Sequence, residues 1–403
     1  MKRCLTLIFY INTLITSVSG VDLPVVLINQ SGNSPDPLTD LGTVNYDYYI
    51  SKYEVTNTQY AIFLNAVAKT DTFELYNTNM GNPDYSGGIL RVGSPGNYSY
   101  TTRSGYGNKP VNFVSFWNVA RFANWLTNGQ PTGQQDNSTT ETGVYMLNGV
   151  AFPVNASIGR NATAWSAGGV AIANQDEWHK AAYYDPNAPG EYWTYPTRSN
   201  TEPSGAQANY NPGDGSNPGD IAEVGYSIPS YFGTYDQGGN VREWTEDTIY
   251  LDHRVVRGGA FGTGGGISSV LLSTLRNTEA PETERNNLGF RLTSLKPITA
   301  PTTDPSIIEF QQDISIYKTV QITFESQAGM YYNIQHSFSL NSDTWVDSPQ
   351  AILGTGSTIT RYRVTDGTLF FFRICESPSP HSEIETDIAL PEQQLIFLET
   401  ADW

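Results

Sequence analysis

Residues 235–247 read YDQGGNVREWTED. Asp236 and Glu243 bracket Gly238, Gly239 and Asn240, residues that let a chain turn sharply or be approached closely. Carboxylates at this spacing, beside exposed backbone carbonyls, can wrap one hard cation such as calcium. The same pattern also makes an ordinary turn. Upstream, ANYNPGDGS (208–216) offers Asn209, Asp214 and nearby carbonyls for a second site of the same kind. An acid–base pair made of Glu243 and Asp247 has weaker support, since spacing alone does not bring them together. Downstream lies RGGAFGTGGGIS (257–268), crowded with glycine. It holds no Lys and leads into no clear amphipathic helix, so it does not read as a phosphate cradle.

Working toward the N-terminus, three helices can be placed. Thr56 with Gln59 is a capping box, and Tyr60, Phe63, Leu64 and Val67 share a face, which predicts a helix over about 57–68. Ser115 caps a second helix, FWNVARFANWLTNG, ending near Gly129. Asn174 with Glu177 opens a third, QDEWHKAAYY, which stops before Pro186. Between them the chain is rich in Gly, Asn and Pro and reads as loop. Few short helices among long ordered loops predict an α+β domain. Such loops need something to pin them, and bound calcium is expected in that role. Trp178 and Trp244 are expected to fill the core.

Beyond this region LKPITAPTTDP (295–305) reads as a linker. The segments TVQITFES, MYYNIQHSFS, STITRYRV and TLFFFRICE then alternate apolar and polar residues. They predict a small antiparallel β-sandwich of about six strands over 306–390, followed by a tail at 391–403. At the other end, Lys2 and Arg3 precede an apolar run from Leu5 to about Ile15, and Val18 and Gly20 supply small residues for cleavage. This is the pattern of a signal peptide over 1–20, with the mature chain starting near Val21. The alternative, an anchoring helix, is opposed by Asn12 and the short span. No second apolar run is long enough to cross a membrane, so the expectation is a secreted, periplasmic or cell-surface protein. Cys4 would leave with the leader. Cys375 is then expected to be a free core residue, and the mature chain to have no internal disulfide.

The formal net charge is −18, which disfavours nucleic acid and anionic membranes as partners. The four histidines, His179, His253, His336 and His381, show no metal-ligand spacing. No nucleophile elbow and no Walker loop is present.

Six blocks, in order, resemble one family. They are SKYEVTNTQYAIFLNA, KPVNFVSFWNVARFANWL, NQDEWHKAAYY, YDQGGNVREWTED, RVVRGGAF and NNLGFRL. The family is that of the formylglycine-generating enzymes, or sulfatase-modifying factors, and the resemblance covers about 23–294. It implies a loop-rich, C-type-lectin-like α+β fold over 21–294, stabilised by calcium. For one calcium site it implies side chains of Asp236 and Glu243 with carbonyls of Gly239 and Val241. For the second it implies Asn209 and Asp214 with carbonyls of Tyr210 and Ser216.

Active members oxidise a sulfatase Cys with O2 and a copper ion held by two Cys. Here the first Cys position carries Thr263 and the second Ser268. The intervening His position is Gly264, the family's Ser is Ala260, and a Trp of the family is Arg242. Cu(I) selects soft thiolates, whereas hydroxyls are hard and un-ionised near neutral pH. No catalytic residue is therefore assigned and copper is not expected. The resemblance places a remodelled cleft at Arg242, Ala260, Thr263, Ser268 and Asn287. Arg276 and Arg291 also fall on family positions and are expected to pair with buried acids. The function so read is that of a pseudoenzyme: a binding or scaffold module for a peptide, protein or glycan. The alternatives are a divergent oxidoreductase acting on a protein Cys, or a structural envelope protein.

Overall fold

A computed structural model describes residues 3–7, 20–154, 158–213, 215–249, 252–262, 268–298, 318–337, 346–347, 351–365 and 371–377. The chain divides into two compact units. One comprises residues 16–307, the other residues 1–15 together with 308–403.

In the larger unit the elements run β2 (Val25–Ile28), β3 (Tyr48–Ser51), α1 (Asn57–Val67), β4 (Ile89–Val92), β5 (Ser99–Thr102), α2 (Phe116–Thr127), α3 (Ala162–Ser166), β6 (Val170–Ile172) and α4 (Gln175–Tyr183). Then follow β7 (Arg242–Ile249), β8 (His253–Arg257), β9 (Asn277–Glu279), β10 (Leu288–Gly289) and β11 (Leu292–Ser294). All three expected helices are present. The boxes at Thr56/Gln59 and Asn174/Glu177 close reciprocally, each cap side chain accepting from the third helical N–H. The short α3 carries no apolar periodicity and was not expected.

One sheet has the order β2-β3-β11-β6 and is antiparallel throughout. The other has the order β10-β7-β8-β9; β7 and β8 form a bulged hairpin, and β10 adds in parallel. Helices α1 and α2 meet through Tyr60, Phe63, Phe122 and Trp125, with Phe290 wedged against them. Trp178 and Trp244 are fully buried, as expected. Every residue of α2 from Phe116 to Leu126 is buried. Its one charge, Arg121, is met by both oxygens of Glu141, at 2.8 and 3.0 Å.

The long loops are held by neutral amides. Asn124 Nδ2 donates to the carbonyls of Thr140 and Tyr145, both at 2.8 Å, and its Oδ1 accepts from the Tyr145 N–H. Asn128 spans Thr139 and Thr142, and Asn57 spans Tyr106 and Lys109. Much of the pinning of these loops is done by asparagine, because an amide supplies both the donors and the acceptor that exposed loop backbone lacks.

The smaller unit holds β12 (Lys318–Glu325), β13 (Tyr331–Ser337), β14 (Val346–Asp347), β15 (Ile352–Leu353), β16 (Thr358–Thr365) and β17 (Phe371–Ser377), joined by β1 (Arg3–Leu7). Strands β12 and β16 pair antiparallel; the second sheet runs β1-β17-β13-β14, with β15 also on β13. Ile322, Tyr332, Ile334 and Ile374 are buried together between them. Strand β1 falls within the expected leader and brings Cys4 opposite Cys375. In the full-length chain, with β1 present, Cys375 is disulfide-bonded, and Cys4 is the only other cysteine; the free Cys375 expected above belongs to the chain after the leader is removed. The opposed register of two antiparallel strands supplies the short separation a disulfide needs. The tail at 391–403 lies outside the described residues.

Candidate functional site

The stretch 235–241 is a tight turn that feeds β7. Asp236 and Asn240 both take left-handed φ, at 62° and 57°. At Gly239 (φ 118°) a Cβ would lie 2.5 Å from the Asn209 carbonyl, so this position must be glycine. The Asn240 N–H donates to that same carbonyl at 2.7 Å, which ties the turn to the 208–216 loop.

Below the turn sits a buried charge cluster. Arg291, from NNLGFRL, has no solvent exposure and grips both oxygens of Glu243, at 2.6 and 2.7 Å. Its other donors reach the carbonyls of Ser51 at 2.9 Å and Tyr235 at 2.7 Å. Trp178 Nε1 adds a third bond to Glu243, at 2.7 Å. Asp236 accepts from the N–H groups of Gly225 and Ser227 and from the Ser227 hydroxyl. Glu54, also buried, accepts from Asn240 Nδ2 and the Val241 N–H. Burial, with Asp236 and Glu243 adding to it, pushes the Glu54 carboxyl well above the usual range. Of the two arginines expected to pair with buried acids, Arg291 does so.

This arrangement bears on calcium. Both oxygens of Glu243 are occupied by a guanidinium and an indole, and the oxygens of Asp236 by backbone and hydroxyl donors. Each of these two carboxylates thus accepts three hydrogen bonds, and Arg291 supplies a counter-charge to Glu243. The second set fits better. Asn209 Nδ2 is used, donating to the Asp220 carbonyl at 3.0 Å and to Asn240 Oδ1 at 3.1 Å. Asn209 Oδ1 is buried with no partner, a cost a cation would remove. Tyr210 is buried beside it in sequence, and Ser216 Oγ accepts from the Gly205 N–H at 2.8 Å. Asp214 lies outside the described residues.

Strand β8 ends at Arg257, and Gly258 and Gly259 follow with φ of 103° and 74°. A Cβ on Gly259 would lie 2.8 Å from Leu271, so the glycine lets the next segment pack down. Arg257 is buried. It donates to the carbonyls of Leu275 and Ser273 and to His179 Nδ1, the last at 2.9 Å. His179 Nε2 in turn meets Asp36 at 2.9 Å. Burial, opposed by Asp36, holds the His179 pKa down at about 4, so its ring is neutral at pH 7.

Beside Gly259 opens a cavity of about 560 Å³. Arg242, Arg276, Asn277, Thr278 and Glu279 supply its polar lining. Of the expected cleft residues, Arg242 is in this lining. Asn287 supports it, its Oδ1 accepting from Arg242 Nη2 at 3.2 Å. Ala260 is fully buried, and Ser268 is buried with its hydroxyl 3.0 Å from that of Tyr195. Thr263 lies outside the described residues. For Arg276 the expectation is corrected: it is exposed and, among the described residues, pairs with no acid. Glu279 pairs instead with Arg242 at 3.0 Å and Arg285 at 3.2 Å. Asn277, Thr278 and Glu279 were missed because a three-residue edge strand has too few positions to show a period.

A loop-rich α+β domain of C-type-lectin-like architecture, with a cavity beside the end of β8, is the class that this geometry defines. The chain belongs to the sulfatase-modifying factor enzyme 1-like domain family, whose model matches residues 31–295. Among solved structures it is similar to CarF at 21% identity and a TM-score of 0.46, over 68% of this chain and 98% of that one. It is also similar to Treponema denticola variable protein 1, at 18% identity and a TM-score of 0.43, over 73% and 99% of the two chains. PvdO from Pseudomonas aeruginosa matches at 19% identity and a TM-score of 0.38, over 68% and 92%. No curated protein sequence matches.

Proposed function

We propose that this chain is an exported, calcium-stabilised binding or scaffold module of its family, acting on a peptide or glycan without copper-dependent oxidation. The observation that carries the reading is Ser268. On the second ligand position of the family stands a buried hydroxyl, already bonded to the Tyr195 hydroxyl. A hydroxyl so placed is neither soft nor ionised and does not fit Cu(I). Thr263, on the first position, has the same chemistry. The cavity beside Gly259 is within the size range of ligand sites. Calcium is assigned to the Asn209 loop, on the strength of the buried, unpartnered Asn209 Oδ1. Export rests on the leader pattern at 1–20, and among the described residues no helix is long and apolar enough to cross a membrane.

Purified protein is to be titrated with Cu(I) and incubated with a Cys-containing sulfatase peptide, then placed on peptide and glycan arrays. The expected result is weak copper binding, no formylglycine, and array ligands that are lost in Thr278→Trp, which fills the cavity. Tight Cu(I) binding or formylglycine formation would restore the oxidoreductase reading. Arrays with no ligand at all would favour a structural envelope component.

A further inference from the structure

The cavity carries a charge opposite to that of the chain. Glu279 is its one lining carboxylate, and Arg242 and Arg285 both hold it. Arg276 lines the same cavity, exposed and without an acid partner among the described residues. Arg257, two residues before Gly259, is buried outside this lining, over the Trp178 ring, and donates to two carbonyls and to His179. The Nε atom of Arg242 is buried without a partner. Of the charged side chains in the lining, two are guanidiniums and one is a carboxylate, in a protein of net charge −18. Arg276 lies close enough to Arg257 to depress its pKa further, after burial. An anion would relieve that repulsion and satisfy donors left unpaired.

The wall of the cavity also says how such an anion would be presented. Asn277, Thr278 and Glu279 form β9, which ends the order β10-β7-β8-β9 and pairs on one side with β8. An edge strand offers backbone groups to an added extended segment. A cavity of about 560 Å³ is far larger than one carboxylate needs, so the anion belongs to a larger ligand. Resting on the binding-module reading above, we propose that the cavity seats an acidic side chain of an extended peptide lying along β9. Its carboxylate is received between Arg242 and Arg276, with Asn277 and Thr278 as further polar contacts.

The probe is a short fluorescein-labelled peptide alternating Glu and Thr, with a Gln-for-Glu analogue, read by fluorescence anisotropy on the full chain. The acidic peptide is expected to bind, to weaken at high salt, and to bind more tightly than the Gln analogue. Arg276→Gln should weaken it by about tenfold, the range of one lost charge-assisted bond, and Arg276→Glu should weaken it more. Lys69→Gln, which removes the same charge from an exposed site elsewhere, should change nothing. Circular dichroism of the Arg276 variants should be native, since that side chain is exposed and unpaired. Equal affinity for both peptides, or equal loss in Lys69→Gln, would overturn the proposal. So would Arg276-dependent binding of a sulfated oligosaccharide with none of the peptide. If array ligands depend on Thr278 but ignore Arg276, the binding module stands and the anionic assignment alone fails.

Discussion

Replacing Arg291 by Met tests the buried cluster most directly. The wild-type guanidinium makes two bonds of 2.6 and 2.7 Å to Glu243 and two more to carbonyls, all away from water. Met matches its volume roughly but leaves Glu243 with a buried charge, near Glu54 and Asp236. Breaking a buried pair in this one-sided way costs about 3–5 kcal/mol, against about 0–1 for an exposed pair. The exposed comparison is built in: Arg285, half-exposed, pairs with Glu279 at 3.2 Å. Urea unfolding followed by tryptophan fluorescence is the assay, because urea does not screen charge and Trp178 touches Glu243. With a slope of about 3 kcal/mol per molar, the midpoint of Arg291→Met should fall by roughly 1–2 M, and that of Arg285→Met by roughly 0.3 M or less. The double variant Glu243→Met/Arg291→Met should lose less than Arg291→Met alone, since it buries no unpaired charge there. The defect should also shrink toward acid pH. Without Arg291, which lowers the Glu54 pKa, that pKa stands still further above its unfolded value, so the variant gains more from Glu54 protonation below the unfolded value and loses that gain as pH rises. A midpoint shift for Arg291→Met no larger than that for Arg285→Met would refute the reasoning.

Among the described residues Glu284 bonds only to Asn77 and Asn118, and burial raises its pKa to about 7. Its contribution to stability is present below pH 4.5 and lost as pH rises toward 7, so Glu284→Gln should melt higher than wild type at pH 8, by on the order of 1 kcal/mol. At pH 5 the two should melt alike in differential scanning calorimetry. Calcium should raise the melting temperature of the wild type and not that of Asn209→Ala; equal shifts in both would remove the Asn209 assignment. His179 should titrate near pH 4 by NMR, and an ordinary value near 6.5 would mean that the ring is not sealed between Asp36 and Arg257. Intact mass and thiol titration of exported protein should find a chain starting near Val21 with one free thiol at Cys375, because cleavage removes Cys4; a chain retaining Cys4 and no free thiol would show that the leader stays.

Much of the fold was legible because its signals are local. Thr56/Gln59 and Asn174/Glu177 sit three residues apart and mark helix starts whatever surrounds them. Gly239 and Gly258–Gly259 mark backbone that no other residue could follow. The site was legible only in part, because its partners are remote in sequence. Nothing in YDQGGNVREWTED tells that Glu243 will be taken by Arg291, so a carboxylate beside glycines reads as a metal ligand. Arg276 and Arg291 look alike in the chain, yet one is sealed against an acid and the other stands in a cavity mouth. That difference is set by which strands close over them. Cys375 shows the same limit: its disulfide in the uncleaved chain follows from a strand pairing across almost the whole chain.

The asparagine braces of the larger unit have a consequence for evolution as well as for structure. An amide that spans two carbonyls holds backbone, not side chains, so the residues at the held positions can change freely while the loop keeps its path. Asn57, Asn124 and Asn128 each fasten two separated points in this way. The hold is also electrically silent, and neither protons nor dissolved salt alter it. Loops built so can diversify their outward faces residue by residue in whatever medium surrounds them, and the three asparagines are where drift to Asp, by mutation or by slow chemical deamidation, would first let the surface lose its shape.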